Sequence, residues 1–217
     1  MRLRDLESAL SSVRSFEEPR FELEQYPTSA HLAACTIFTA DSTYGDIEDK
    51  RVLDLGCGTA MLSIGAQIMG SSFTVGVDLD PGALAIAREN VAEYEVDVEL
   101  VHSDVISLPF VGAVGDGMPL FDTVVMNPPF GTRNKGIDVL FLQAALASCS
   151  GAVYSMHKSS TRKFLAKKAE QWGVDFEVVA QMRFDIPKMY KFHKKNSKDI
   201  EVDLLRLSHR SGGGSEA

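Results

Sequence analysis

Apolar runs suited to strands alternate along the chain with segments whose apolar residues recur at helical spacing. The predicted strands are 51–55, 73–77, 96–101, 121–126, 151–156, 175–183 and 200–208. The predicted helices are 3–14, 29–40, a segment ending at Met69, a segment starting at Pro81, 137–148 and a segment ending near Trp172. The two types alternate until the last two strands, which close as an antiparallel hairpin. Right-handed crossovers then favour an α/β fold, a doubly wound seven-stranded sheet whose last strand is antiparallel.

The chain is predicted to form one domain over 1–208. Its 217 residues are enough for one sizeable core. Residues 1–45 form an N-terminal helical segment of this domain, and the Gly- and Ser-containing residues 209–217 form a disordered tail. No stretch approaches the ~18 apolar residues of a membrane span, and the N-terminus lacks the apolar core of a signal peptide. We therefore expect no membrane association.

Charge and cysteine content narrow the possible functions. The formal net charge of −8 argues against a general electrostatic grip on nucleic acid. Two basic clusters are exceptions, although a solvated face is the default interpretation of each: Arg162, Lys163, Lys167 and Lys168, and Lys188, Lys191, His193, Lys194, Lys195 and Lys198. The three cysteines have neither disulfide nor metal-ligand spacing, so we expect reduced thiols and no metal site.

The segment from Arg51 to Met61 predicts a strand, a Gly-rich turn and the start of a helix. Gly56 and Gly58 allow the backbone to approach a ligand, but Met61 stands where the dinucleotide fingerprint requires its third glycine. Asp54, just before the turn, would repel a pyrophosphate and attract a cation such as a sulfonium. The turn therefore favours a cationic ligand over a nicotinamide dinucleotide.

Carboxylates stand at the ends of three successive predicted strands, at Asp54, Asp78 and Asp104. Asp78 lies about twenty residues past the glycines, where an acid accepts both hydroxyls of a ribose. Asp104 can accept an adenine amino group while the Val105 N–H donates to the ring. Each Asp alone is typical of a helix cap or a turn. Three at one edge of a parallel sheet indicate a site for a positively charged nucleoside.

A stiff turn, Asn127-Pro128-Pro129-Phe130, follows the predicted strand 121–126. Each proline fixes φ, and Pro129 keeps Pro128 out of the helical region. The Asn127 side-chain oxygen and the Pro128 carbonyl can accept both hydrogens of an exocyclic amine while Phe130 stacks on the attached ring. A proline turn with a buried Phe is the competing interpretation. Beside a site for a cationic nucleoside, this turn predicts methyl transfer from S-adenosylmethionine to an amine on a planar ring.

Aromatic residues interleave with lysines in the predicted last hairpin loop, at Tyr190 and Phe192. Such a pattern suits single-stranded nucleic acid, because rings stack on bases while lysines follow phosphates. A lysine-rich hairpin loop without a ligand is the alternative, and the sequence leaves both open.

With these motifs identified, the sequence resembles the class I methyltransferases that carry an Asn-Pro-Pro-Phe/Tyr motif. It is most similar to the methyltransferase-like protein five family, eukaryotic small-subunit (18S) rRNA adenine-N6 methyltransferases, from Leu3 to Leu207. The most specific matching pieces are Glu24-Gln25-Tyr26-Pro27-Thr28, Asp54-Leu55-Gly56-Cys57-Gly58, Asn127-Pro128-Pro129-Phe130-Gly131-Thr132, His157-Lys158-Ser159-Ser160-Thr161-Arg162 and Tyr190-Lys191-Phe192-His193-Lys194. Ala60 departs from the pattern, since such proteins often carry glycine there, and its methyl would crowd the methionine end of the pocket.

The resemblance implies roles for individual residues. The S-adenosylmethionine pocket would be formed by Gln25, Thr28, Asp54, Gly56, Gly58, Thr59, Met61, Asp78, Asp104 and Val105. The target adenine would be held by Asn127, Pro128, Pro129 and Phe130. The RNA would contact Lys158, Arg162, Lys191, Phe192, His193, Lys194 and Lys195.

The resemblance also implies a small zinc-binding activator subunit as heterodimer partner, and a location in the nucleus or nucleolus and the cytoplasm. We expect the partner along strand 96–101, which lies at a sheet edge and is apolar on one side through Val96, Val98 and Leu100. A helix or loop of the same chain is the alternative cover.

Three other functions remain compatible with these motifs. Guanine N2 and the protein glutamine amide are also amines on planar groups, and a cofactor-binding scaffold needs no turnover. A nicotinamide oxidoreductase fits worst, because of Asp54 and Met61.

Overall fold

A computed structural model describes residues 1–108, 119–187 and 197–210. The helices are α1 Leu3–Leu10, α2 Ala30–Tyr44, α3 Met61–Ile68, α4 Pro81–Glu93, α5 Ile137–Ser148 and α6 Arg162–Trp172. The strands are β1 Arg51–Leu55, β2 Phe73–Asp78, β3 Val98–His102, β4 Phe121–Met126, β5 Cys149–Lys158, β6 Val174–Pro187 and β7 Ser197–His209. Short 3₁₀ turns cover Phe21–Leu23, Val105–Ser107 and Ser159–Thr161. From 211 onward, the predicted tail lies outside the described residues.

The strands form one sheet in the order β3-β2-β1-β4-β5-β7-β6. The pairs among β1 to β5 are parallel, and β7 runs antiparallel to both β5 and β6. The predicted seven-stranded fold with an antiparallel last strand is therefore confirmed. Because the first five strands are parallel, their carboxyl ends meet at one rim of the sheet, where open α/β sheets bind ligands.

Helices cover both faces of the sheet. Leu6 of α1, Ile37 of α2 and Ile64 of α3 are fully buried in one core. Leu142 of α5 and Leu165 of α6 belong to a second core, on the other face. Each buried leucine or isoleucine contributes about 1.5–3 kcal/mol relative to an exposed one, so both layers hold the central strands rigidly beneath the rim.

Two helices begin or end differently from the prediction. α1 ends at Leu10 and not at 14, although Val13 beyond it remains buried. The cap of α2 is Ser29, whose hydroxyl accepts from the Leu32 N–H at 3.3 Å, and not Thr28, the other hydroxyl residue before the helix. Ser29 is the residue directly before α2 and has extended backbone, so its side chain reaches the free N–H groups of the first helical turn. Thr28 is thereby left for another contact.

The last two strands are longer than predicted. Lys158, the last residue of β5, pairs with Val202, and Val202 pairs with Met182. Five further pairs extend β6 and β7 beyond this level, ending at Pro187↔Ser197. At about 3.3 Å per residue, this hairpin arm (183–187 and 197–201) reaches roughly 16 Å beyond the end of β5. The arm therefore borders the rim where the parallel strands end.

The edge strand β3 begins at Val98 and not at the predicted residue 96. The left-handed Glu95 and the bond from the Val96 N–H to the Val91 carbonyl belong to the turn after α4. Val98 is buried, and Val96 and Leu100 are half-buried against the core of the same chain. The apolar side of this strand is thus covered internally, as the alternative interpretation had it. Among the described strands β3 pairs with β2 alone, so its outer backbone edge carries no strand.

None of the described helices is long and apolar enough to cross a membrane.

Candidate active site

A cavity of about 360 Å³ lies at the carboxyl rim of the parallel strands. Its size is within the usual range for a small-molecule site. The structure brings most of the predicted cofactor residues to its wall, together with part of the Asn-Pro-Pro-Phe turn: Gln25, Thr28, Gly56, Gly58, Thr59, Met61, Asp78, Asp104, Val105, Asn127 and Pro129.

The floor of the cavity is the Gly-rich turn after β1. The N–H groups of Gly56 and Cys57 donate to the Val77 carbonyl at 2.8 and 3.0 Å, which attaches the turn to β2. Gly58 has φ 55°, and an added Cβ would come within 2.8 Å of the Phe16 ring. Glycine is required there because neither the backbone angle nor the space suits a side chain.

Ala60 is fully buried in the core and has φ 71°. Its methyl is not part of the cavity wall, so the expected crowding of the methionine end is not observed.

Two carboxylates stand at the side of the cavity formed by β2 and β3. Asp78 accepts from the Gly58 N–H and the Asp80 N–H, both at 2.8 Å, through different oxygens. Burial raises the pKa of Asp78 above its ordinary value, so a cation or hydroxyl donors at this position would stabilise its charged form. Asp104 accepts from the Ile106 N–H at 3.0 Å and caps the short turn after β3.

Asp54 is the predicted cofactor residue that the structure places elsewhere. Its side chain is buried beneath the turn, and Asp54 Oδ2 accepts from Ser63 N at 3.0 Å and from Ser63 Oγ at 2.6 Å. Burial raises its pKa to about 7, and the bonds from Ser63 oppose the rise. Asp54 is absent from the cavity wall. Its contacts with Ser63 attach α3 to β1.

The Asn127 amide is held by a side chain about a hundred residues away in sequence. Asn127 Nδ2 donates to Thr28 Oγ1 at 2.9 Å. Asn127 Oδ1 is buried and has no hydrogen-bond partner among the described residues. A buried acceptor without a partner costs about 1–3 kcal/mol, so this oxygen is suited to a ligand that donates a hydrogen bond. It belongs to a residue of the same cavity wall as Asp78.

Phe130 lies beside the cavity and not on its wall. Its ring is 8% exposed and meets the Phe184 ring of the hairpin arm edge-on, with centroids 5.7 Å apart. Lys158 Nζ lies 5.6 Å from the Phe130 centroid. Pro128 is buried as well. The turn is therefore packed between the arm and the end of β5, and only Asn127 and Pro129 reach the cavity.

Residues 15–28, here called the N-terminal strap, form the wall opposite the sheet. Gln25 Nε2 donates to Asp80 Oδ2 at 2.8 Å, and Gln25 Oε1 accepts from the Arg20 N–H. Glu24 is 6% exposed and accepts from the Thr132 N–H, the Thr132 hydroxyl and the Arg133 N–H. The strap is thereby tied to the start of α4 on one side and to the loop after Phe130 on the other.

Sequence reasoning missed several residues of this wall. Leu79 and Ile106 follow the strand-end carboxylates, line the cavity and remain about half exposed, at 49% and 51%. An apolar residue one or two positions after a strand-end acid was the available signal. Glu24 and Phe16 gave none, because their partners are distant in sequence.

The predicted RNA-contacting residues have different environments. Arg162 makes two bonds of 2.6 Å to the buried Asp203 carboxylate, so its guanidinium is occupied within the protein. Lys158 lies next to Phe130 at the rim. Lys191, Phe192, His193, Lys194 and Lys195 lie outside the described residues.

Comparison with known proteins agrees with this geometry. The family model of the methyltransferase small domain matches residues 37–150. The rRNA N(6)-adenosine-methyltransferase METTL5 of Danio rerio is 50% identical over 210 residues, covering 96% of this chain and 99% of that protein. Mettl5 of Drosophila melanogaster is 49% identical over 209 residues, covering 95% and 96%. The chain belongs to the METTL5 family of methyltransferases. The family resemblance inferred from the motifs is therefore confirmed.

The fold of the METTL5 family is also found in a solved archaeal structure. The PH1948 protein of Pyrococcus horikoshii is 34% identical and has a TM-score of 0.84, covering 96% of this chain and 98% of that one. The agreement extends over the N-terminal strap and the last two strands as well as the central sheet.

Proposed function

We propose that this chain transfers a methyl group from S-adenosylmethionine to N6 of an adenosine in small-subunit (18S) rRNA. The observation that carries the proposal is the buried, unpartnered Oδ1 of Asn127, a residue that lines the same cavity as Asp78. The activity named for the METTL5 relatives supports the same substrate.

The cavity suits S-adenosylmethionine by its size and by the residues that line it. Asp78 would hold the ribose hydroxyls, because each of its oxygens already uses one acceptor site on a backbone N–H and retains another. Leu79 and Ile106 offer apolar surface for the adenine ring beside Asp104 and Val105. When bound, this cofactor supplies an electrophilic methyl group on a sulfonium.

The protein's part in the reaction is to hold and polarise the target amine. Asn127 Oδ1 and the Pro128 carbonyl would accept its two hydrogens. Both bonds disfavour delocalisation of the nitrogen lone pair into the purine ring. The amine gains positive charge only as the new bond forms, and preorganised oxygens stabilise that charge then. The proton of the methylated amine would be lost to solvent after the transfer, so we assign no general base to the transfer step itself.

Thr28 is a positioning residue in this mechanism. By accepting from Asn127 Nδ2, its hydroxyl holds the amide with Oδ1 available to the substrate. We assign base stacking to Phe130, whose ring is buried beside the cavity against Phe184, so one face of the ring would have to become exposed for the base to stack on it. The target base must leave any helical stack to reach this turn, which costs a few kcal/mol in a duplex and less in a single strand.

The test is methylation of deproteinised small-subunit rRNA with labelled S-adenosylmethionine, followed by nucleoside analysis. Asn127→Ala is expected to lower turnover roughly a hundredfold, as for the loss of one preorganised polar contact, with cofactor affinity within about twofold of wild type. Gln143→Ala, which removes an exposed amide from α5, is the matched control and is expected to retain full activity. Near-full turnover in Asn127→Ala would exclude Asn127 from the mechanism.

The same assay separates the two other amine acceptors. Label in N2-methylguanosine would redirect the proposal to guanine, and label in protein hydrolysate to glutamine. The absence of transfer in the presence of a zinc-binding activator subunit, despite cofactor binding, would indicate a scaffold.

We further propose a heterodimer with a small zinc-binding activator subunit and a location in nucleus, nucleolus and cytoplasm. The family resemblance motivates both, and the outer backbone edge of β3 offers room for an added strand. Hydrogen exchange of 98–102 should slow on co-expression with the partner. If a stable complex forms and the exchange of 98–102 is unchanged, the interface lies elsewhere on the protein. Imaging of a fluorescent fusion tests the cellular location.

A further inference from the structure

Helix α6 has an exposed face that combines lysines with an aromatic ring. Leu165 and Ala169 are 1% and 0% exposed and fix the buried side of the helix. Lys163, Phe164 and Lys167 are exposed, and Lys167 follows the other two by four and three positions, the spacing of neighbours on a helix surface. Phe164 is 53% exposed, and Lys168 Nζ lies 5.9 Å from its ring centroid. We call Lys163, Phe164, Lys167 and Lys168 the α6 face.

The α6 face is positively charged. None of its three lysines forms an ion pair with any carboxylate in the described part of the chain. By contrast Arg14, Arg51 and Arg162 all do. In a chain of net charge −8, three lysines between positions 163 and 168 are a local excess of positive charge.

The composition of the α6 face favours RNA over a protein partner. A single exposed ring provides too little apolar area for a protein interface of about 800 Å² per partner. Lysines around an aromatic ring are instead the arrangement that binds single-stranded nucleic acid, through phosphate contacts and base stacking.

Helix α6 begins close to the catalytic rim. Lys158, beside Phe130, ends β5, and a three-residue 3₁₀ turn leads directly into α6. The paired bonds from Arg162 to Asp203 anchor the first residue of the helix. Phe164 follows two positions later, so it lies within roughly 10 Å of helical rise from Lys158. We propose, on the basis of the proposed function, that the α6 face binds the rRNA segment flanking the target adenosine.

The experiment measures binding and methylation of in vitro transcribed small-subunit rRNA by the full chain. Lys163→Gln/Lys167→Gln is expected to raise KM for rRNA about tenfold with kcat unchanged. It should also reduce the slope of log Kd against log salt by about 1.5, since each phosphate contact contributes roughly 0.7–0.9. Phe164→Ala is expected to weaken binding about fivefold or more.

The matched control is Arg4→Gln/Arg88→Gln, which changes the net charge equally on exposed positions of α1 and α4, across the sheet. Because these sites contact no phosphate, the control should keep its KM for rRNA within about twofold of wild type. Its slope of log Kd against log salt should stay within about 0.3 of wild type. The inference is overturned if the α6-face variants have the same KM and salt slope as this control. It is overturned equally if those variants keep RNA binding and lose binding to a protein partner. Failure of the proposed function is distinct, because it appears in the wild type as rRNA that carries no methyl group.

Discussion

Glu24 connects the two halves of the active site, so its loss should affect turnover more than folding. Its buried carboxylate accepts from the Thr132 N–H at 3.2 Å, from the Thr132 hydroxyl and from the Arg133 N–H at 2.8 Å. Bonds to a charged group are worth about 1.5–3 kcal/mol each, but Thr132 and Arg133 are exposed and regain water when released. We therefore expect Glu24→Ala to destabilise the strap–loop contact by about 2–3 kcal/mol in total.

The functional consequence follows from what this contact holds. The loop begins directly after Phe130, and the strap carries Thr28, which orients Asn127. A displacement of about 1 Å at a reacting group can cost a hundredfold in rate, so kcat for rRNA methylation should fall ten- to a hundredfold. The kcat of Glu24→Gln should lie between those of wild type and Glu24→Ala. The amide nitrogen of glutamine would face an N–H donor, while its amide oxygen could still accept a hydrogen bond.

The assay combines single-turnover methylation with calorimetric titration of S-adenosylmethionine and thermal unfolding. Glu18→Ala is the matched control, since it removes an exposed carboxylate from the same strap and should leave kcat unchanged. The reasoning is wrong if Glu24→Ala turns over within twofold of wild type while remaining folded.

Three further outcomes follow from buried contacts. Because burial raises the pKa of Asp54 to about 7 from 3.8, its proton stabilises the fold below pH 4, and that stabilisation is lost as pH rises to 7. Unfolding free energies should therefore show wild type losing about 1.4 kcal/mol per pH unit relative to Asp54→Asn over this window, and parallel curves would contradict the raised pKa. Phe184→Ala should cost about 3–5 kcal/mol in denaturant titrations and lower kcat further by releasing Phe130, whereas unchanged kcat would separate the arm from catalysis. Thr28→Val should lower kcat about tenfold with small change in stability, since Asn127 loses the acceptor that orients it, and wild-type kcat would show that the amide is held otherwise.

Local patterns were enough to predict the order of strands and helices. Apolar periodicity, the Gly56 turn and the Asp80–Pro81 helix start depend on neighbours within a few residues, so they can be identified without tertiary contacts. The parallel connection of five strands then brings their ends to one rim. Asp78 and Asn127 were therefore predictable as neighbours across a cavity, although 49 residues separate them.

Side-chain direction and distant pairing were decided by the tertiary structure. Asp78 is the last residue of β2, whereas Asp54 stands one residue before the end of β1, and alternation along β1 turns it towards Ser63 and away from the cavity. Arg162 belongs to a basic cluster in sequence, yet Asp203, on a different strand, occupies its guanidinium. The bonds of Glu24 to Thr132 and of Thr28 to Asn127 span about a hundred residues. Such contacts depend on how the strap folds over the finished sheet, and no periodicity within either segment encodes them.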